Sequence, residues 1–238
     1  MIKYLLMNYE RIRCMEKNRA FTLAEILITL AIIGVVAMTM PIIVENYRLK
    51  QLETGLKKSY SVIAQALDMY FAETGERVTS ENTDWGEMKT ILMQYLSVFH
   101  DCGYGHEDSD TACVQNYIDT EKNSQTYKNF TDTSNINLNY TDDGQLILSD
   151  GSFILIENYT HLFISVDVNG LYKRPNRLGH DLFMFQIDEE GALLPMGKDG
   201  TNYNSKNYCS ETSTNSMNGA GCTYKALTEK DYFKNLPK

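Results

Sequence analysis

Residues 21–40 read FTLAEILITLAIIGVVAMTM, twenty positions with no proline, lysine or arginine and one acid, Glu25. A helix rises 1.5 Å per residue, so a stretch of this length crosses a hydrocarbon core of about 30 Å. It has no polar face, and its natural solvent is lipid or other apolar helices. Two details set it apart from a plain anchor. A basic segment ending Lys17-Asn18-Arg19-Ala20 directly precedes it, and Glu25 lies just inside it. An acid at the centre of a membrane helix costs about 2.5–3.5 kcal/mol and usually has a partner. The stretch itself offers Glu25 none. If the chain were cut after Ala20, the new amine of Phe21 would be a cation at the same depth, within reach of a carboxylate on a neighbouring subunit.

The run NRA-FTLAEILITLAIIGVVAMTMP resembles the class III signal of type IV pilins and type II secretion pseudopilins. In that family a small residue, usually Gly, precedes a Phe. Glu is the fifth residue after the cut, and a Pro lies some twenty residues into the helix. Ala20, Phe21, Glu25 and Pro41 occupy those places, Ala20 departing from the usual Gly. The resemblance implies cleavage between Ala20 and Phe21 by a prepilin peptidase, N-methylation of Phe21 and an assembly role for Glu25. It also implies an α+β fold, a long N-terminal helix packed on an antiparallel β-sheet head. The organisation expected is a leader over 1–20, a helix over 21–74 that spans the membrane at about 21–41, and an extracytoplasmic head over 75–238. An ordinary signal peptide has a shorter apolar core, with its small-residue site after it rather than before.

The first twenty residues hold five basic side chains and two acids, net +3, which favours their retention on the cytoplasmic side. Met1, Met7 and Met15 are alternative starts, Met15 giving the leader MEKNRA, and Cys14 leaves with the leader. The whole chain carries −9, leaving −12 after the leader. So acidic a surface does not attract nucleic acid through its overall field.

Cys102, Cys113, Cys209 and Cys222 remain, an even number with three possible pairings. An extracytoplasmic compartment and sequence proximity favour the disulfides Cys102–Cys113 and Cys209–Cys222. Zinc is the competing reading, because His100 and His106 flank Cys102, but no metal-finger spacing appears.

Beyond Pro41, which cannot donate to the preceding turn and is the expected kink, the helical pattern turns amphipathic. Leu49, Leu52, Leu56, Ile63, Leu67 and Tyr70 recur at three- to four-residue steps up to a stop at Gly75. That stripe needs a surface, and a downstream sheet is the candidate. A short helix is expected after an Asp84 N-cap, with Trp85, Met88, Ile91, Leu92, Tyr95, Leu96 and Phe99 as its core face. Residues 114–140 read as an exposed excursion. Strands are expected at 145–149 and 152–157, joined by the turn Asp150-Gly151, and at 161–168. Asn169-Gly170 reads as a second hairpin turn, with further strands at 181–188 and 192–194 and a closing helix at about 224–235. The run VDVNGLYKRPNRLGHDLFMFQID also resembles the heads of some pilin-like proteins of anaerobic bacteria.

No catalytic constellation is present: His161 and His180 lack an acid and nucleophile at recognisable spacing, and nucleotide-binding glycine patterns are missing. Asp142, Asp143, Asp150, Asp167, Asn169 and Asp181 supply hard oxygen ligands near turns. Asp167, Asn169 and Asp181 are the calcium candidates, against the ordinary reading of Asp and Asn as turn formers. The expectation is therefore a subunit, not an enzyme, with no cofactor: part of a type IV pilus or a type II secretion-type pseudopilus. Its partners would be the prepilin peptidase, an inner-membrane platform with its ATPase, and copies of itself and related pilins. It would pass the inner or cytoplasmic membrane once, head outside, and then join a surface or periplasmic filament. The alternative is a membrane-anchored binding protein or enzyme that carries a pilin-type signal.

Overall fold

The structure, a computed structural model, describes residues 21–106, 112–116 and 127–237. The leader with Cys14 and Ala20, and the candidate starts Met1, Met7 and Met15, lie outside them, as does part of the 114–140 excursion. The chain divides into two compact units, Met1–Tyr47 and Arg48–Lys238.

Helix α1, Leu23–Thr74, belongs partly to each unit. Its start is fixed by a reciprocal cap. The Thr22 hydroxyl accepts from Glu25 N at 3.2 Å, and Glu25 Oε2 accepts from Thr22 N at 2.8 Å. Helical assignment continues through Pro41. The end is Gly75, whose left-handed backbone (φ 76°) lets its N–H reach the Phe71 carbonyl at 2.8 Å.

In the second unit, Leu52, Leu56, Ile63, Ala66 and Leu67 of α1 are buried. They pack on one face of a six-stranded antiparallel meander, ordered β1 to β6 as in the sequence. The strands are β1 (Val98–Asp101), β2 (Gly144–Leu148), β3 (Phe153–Asn158), β4 (Leu162–Asp167), β5 (Leu182–Ile187) and β6 (Leu193–Pro195). Ile154, Ile156, Ile164, Val166, Phe183 and Phe185 face α1, joined by Met88, Ile91 and Leu92 of α2 (Glu87–Tyr95). Tyr60 stacks on Phe185 at 5.6 Å between ring centroids. The opposite face is also buried: Phe153, Leu155, Phe163, Leu182 and Met184 pack under the loops with Tyr127, Leu178 and Met196. Burial on both sides explains why β3 and β5 read as near-continuous apolar runs.

This is the α+β, pilin-like arrangement that the resemblance implies, a long N-terminal helix on an antiparallel sheet. Several local expectations change. Asp84 does not cap α2; Gly86 is its N-cap and carries no side chain to do so. Glu87 Oε2 still accepts from Asp84 N at 2.9 Å, which is the return half of a capping box. Trp85 and Phe99 leave the α2 stripe and are 54% and 77% exposed, Phe99 on a strand that pairs with β2. The β2–β3 turn spans residues 149–151, wider than Asp150-Gly151 alone, with Leu148 N donating to Ser152 O. Asn169-Gly170 is not a hairpin turn, since residues 168–181 form a long loop before β5. Gly170 has φ 89° and its α-carbon packs against the Gly151 carbonyl, so the site admits no side chain.

The described part of 114–140 makes isolated bridges, Lys128 with Asn135 and Arg177, and a 3-10 turn at Leu138–Tyr140. The closing helix is broken into a 3-10 turn at Ala220–Cys222, α4 at Thr223–Thr228 and a second 3-10 turn at Tyr232–Lys234; a short α3 at Ser205–Tyr208 precedes them. Tertiary anchoring accounts for the break, because Tyr232 donates to the Gly179 carbonyl at 2.7 Å and Phe233 meets Phe183 edge-on. Disulfides join Cys102 to Cys113 and Cys209 to Cys222.

Leu56 is fully buried at the helix–sheet contact. Leu56→Ala is expected to cost about 2–5 kcal/mol in guanidinium unfolding. A loss below about 1 kcal/mol would mean that the sheet does not depend on this helix.

Candidate functional site

Three places hold the residues that carry chemistry. The first is the start of α1. Among the described residues of the unit Met1–Tyr47 the large apolar side chains are exposed: Leu23 is 76% exposed and Ile28 60%. This segment is long and apolar enough to cross a membrane. Glu25 is its one acid up to Pro41. The sequence offered it no partner within the stretch, but the structure provides one: both the amide and the hydroxyl of Thr22 donate to Oε2, at 2.8 and 2.9 Å. Among the described residues nothing donates to the other oxygen, Oε1. The carboxylate is thus half used in closing the helix.

The second is the Asp167–Asp181 pair that frames the 168–181 loop. Asp167 Oδ1 accepts from Asn169 N at 3.2 Å and Gly170 N at 2.9 Å, while Tyr127 donates to Oδ2 at 2.8 Å. Asp181 accepts from Asn176 N at 2.8 Å and Arg177 N at 2.7 Å. Asn169 turns its amide nitrogen to the Lys173 and Arg174 carbonyls. The three calcium candidates therefore come together, but backbone and phenol donors already fill the two carboxylates. They hold the loop that closes on Tyr127. Burial pushes Asp167 up to about 7, helped by the charge of Asp181 and opposed by its donors. Burial pushes Asp181 to about 6 against the pull of the same kind of amides. Nearby, burial and the charge of Arg177 hold His180 down to about 3, and its Nε2 lies 3.1 Å from the Phe130 carbonyl.

The third was only half legible. Asp142 and Asp143 immediately precede β2, and Glu157 lies near the end of β3; one carboxylate oxygen of each lies within 4.8 Å of the others. Pairing of Gly144 with Ile156 sets Asp143 level with Glu157 across the strands. Trp85 Nε1 donates to Asp143 Oδ1 at 2.6 Å, Asn158 N to Asp143 Oδ2 at 2.7 Å, and Asn116 Nδ2 to Asp142 Oδ2 at 2.8 Å. Trp85 stacks on Tyr104 at 4.6 Å, and His106 extends the aromatic group. Glu157 was missed, although a signal existed. It is in phase with Phe153 and Leu155, on a face that is buried, where an acid is out of place. Burial, then the charges of Asp143 and Asp142, push its carboxyl up to about 8.

These shifts fix the sign of a pH dependence. A carboxyl whose folded value is raised stabilises the fold fully below its unfolded value and loses that contribution as the pH rises through the folded one. Glu157, Asp167 and Asp181 therefore all weaken the head between about pH 4 and pH 8. His180, lowered, acts oppositely and costs stability as the pH falls below about 6.5. Three acids outweigh one histidine between pH 8 and pH 6. In metal-free buffer the melting temperature should rise by roughly 5 °C or more from pH 8 to pH 6. Glu157→Gln, permanently neutral, should melt higher than wild type at pH 8 and show a smaller rise. A curve that is flat or falls towards pH 6 would contradict this assignment.

Residues 15–40 match the family model described as the prokaryotic N-terminal methylation motif. No curated protein and no solved structure matches the chain. The matched segment contains Phe21, the Thr22–Glu25 cap and most of the uncovered apolar helix. The chain bears the prepilin signal of type IV pilins and pseudopilins, and with it the mark of a type IV pilin-like substrate of the prepilin peptidase.

Proposed function

We propose that the protein is a structural subunit of a type IV pilus or a type II secretion-type pseudopilus. In this reading it is cut between Ala20 and Phe21, methylated at Phe21 and assembled into a helical filament. The observation that carries it is the apolar helix of the first unit, exposed on all sides and carrying one acid before Pro41. Lipid covers that surface while the subunit waits in the inner or cytoplasmic membrane, its head outside. Neighbouring copies cover it in the surface or periplasmic fibre. The repeating contact is heterologous and does not close, which gives a filament rather than a ring.

Glu25 takes part with its second oxygen. Thr22 occupies Oε2, and the amine of a mature Phe21 on a neighbouring copy is the cation that suits Oε1. Such a pair fixes the axial step between copies. Partners in this scheme are the prepilin peptidase, the membrane platform with its ATPase, and copies of this and related pilins. The subunit's work is mechanical, without catalysis or a cofactor of its own.

Two measurements test the reading. N-terminal sequencing of the membrane-extracted protein should begin at Phe21, and Ala20→Phe should leave the precursor uncut; a mature end beyond Phe21 sinks the scheme. The cap at Thr22 sharpens the second test, because Gln can replace Glu in a capping box but carries no charge. Sheared or secreted fibre is compared with membrane-held subunit for wild type, Glu25→Gln and Glu25→Ala. Both variants should insert and lose their leader, yet both should make at least about tenfold less fibre, the equivalent of one lost charge contact of about 1.4 kcal/mol per step. If Glu25→Gln assembles like wild type and only Glu25→Ala fails, Glu25 serves as a cap and the intersubunit pair is wrong.

A further inference from the structure

Among the described residues of the second unit, the most exposed large apolar side chains are Phe99 at 77%, Tyr159 at 86% and Tyr172 at 87%. Phe99 and Tyr172 border a cavity of about 390 Å³, with Ile147, Phe153, Leu171 and Lys173. Exposed rings around an apolar hollow mark a contact surface. The cavity lies where the β2–β3 turn meets the 168–181 loop, at one end of the sheet. Strand pairing puts Tyr159 at the other end. Asn158 faces Leu162 across the β3–β4 turn, and Leu162 faces Ile187, so the β5–β6 turn with Glu189 and Glu190 lies beside Tyr159. The two ends differ in charge. Lys173 and Arg174 are exposed at the cavity end, Glu189 and Glu190 at the Tyr159 end, and among the described residues none of the four is ion-paired. Opposing charges at each end are already taken up. Asp150 of the β2–β3 turn is paired with Lys58, and Arg77, which lies against Gly191, with Asp68. Gly55 of α1 lies against Val168, and Tyr60 donates to the Leu193 carbonyl, so this part of α1 runs from the basic end towards the acidic one.

We propose that the Tyr159 end of one head docks on the cavity end of a second copy of this chain, with Tyr159 in the cavity between Phe99 and Tyr172 and Glu189 and Glu190 against Lys173 and Arg174. The occupant is a second copy because one chain carries both complementary halves, an aromatic knob among acids and an apolar hollow among cations. Two cavity ends would bring the cations together, and two Tyr159 ends the acids. Like ends repel, and only head-to-tail order is attractive. A contact between two different faces repeats without closing on itself. One ring and two charge pairs make a weak contact alone. It gains strength where the helices already hold copies in line, because each docking is then intramolecular in effect. Its place in a fibre rests on the filament reading; the contact itself is tested separately.

Tyr159 is replaced by the photoreactive benzoylphenylalanine in the full chain, which is irradiated in membranes and in sheared or secreted fibre. Dimers should form, and the linked peptide should hold Phe99 or residues 169–173. Charge reversal supplies the second arm. Tyr159→Ala, the pair Glu189→Lys and Glu190→Lys, and the pair Lys173→Glu and Arg174→Glu should each give about tenfold less fibre. Combining the two reversals should bring the yield back to within about twofold of wild type, since the charges then meet with their signs exchanged. All five side chains are exposed, so an unchanged melting temperature is expected and shows that each variant is folded. Absence of crosslinked dimers, crosslinks to another face of the chain or only to other proteins, or a combined variant no better than either reversal overturns the proposal. If all these variants assemble like wild type while Glu25→Gln does not, the head contact is wrong and the filament reading stands. If wild type makes no fibre, the filament reading falls, and the crosslink in membranes decides the head contact by itself.

Discussion

The head depends on one contact, the stripe of Leu52, Leu56, Ile63 and Leu67 laid across the sheet. A lone antiparallel sheet with two apolar faces cannot stand in water, and each face needs a cover. Helix α1 supplies one cover, with the Cys209–Cys222 disulfide in the same cluster, and the loops with the Cys102–Cys113 disulfide supply the other. The same helix is uncovered in its first unit, so one element has two solvents. Its pattern changes accordingly, from apolar all round to apolar on a single stripe. That change is where the apolar surface passes from exposed to covered by the protein's own sheet.

What was legible follows from that pattern. The 3.6-residue repeat of the stripe, the stop at Gly75 and the apolar runs of β3 to β5 are local statements, and local chemistry settles them. What was illegible depended on distant neighbours. Asn169-Gly170 has the composition of a hairpin turn, but its glycine is required by the Gly151 carbonyl of another turn. The last helix is broken because Tyr232 and Phe233 reach back to Gly179 and Phe183. Trp85 has the spacing of a helix face, yet it is held outside by Asp143 and Tyr104.

The acids show the same division. Asp167 and Asp181 were visible as a pair of turn-flanking carboxylates, and the structure gives each of them amide donors that no spacing rule reveals. Asp142 and Asp143 were visible as neighbours, but their third member comes from the next strand through β-pairing.

The Thr22–Glu25 cap has one further consequence, for recognition. Because the box closes on Thr22, whose carbonyl accepts from Ile26 N at 3.2 Å as the N-cap, α1 begins at Leu23 and leaves Phe21 outside its hydrogen-bonded turns. In the proposed reading, the cap fixes where the apolar helix starts relative to the bond cut ahead of Phe21, and so acts as a ruler for the enzyme that cuts it. Substitution at Thr22 would blur that ruler by letting the first turn fray, and would shift where the enzyme finds its substrate rather than whether the helix inserts.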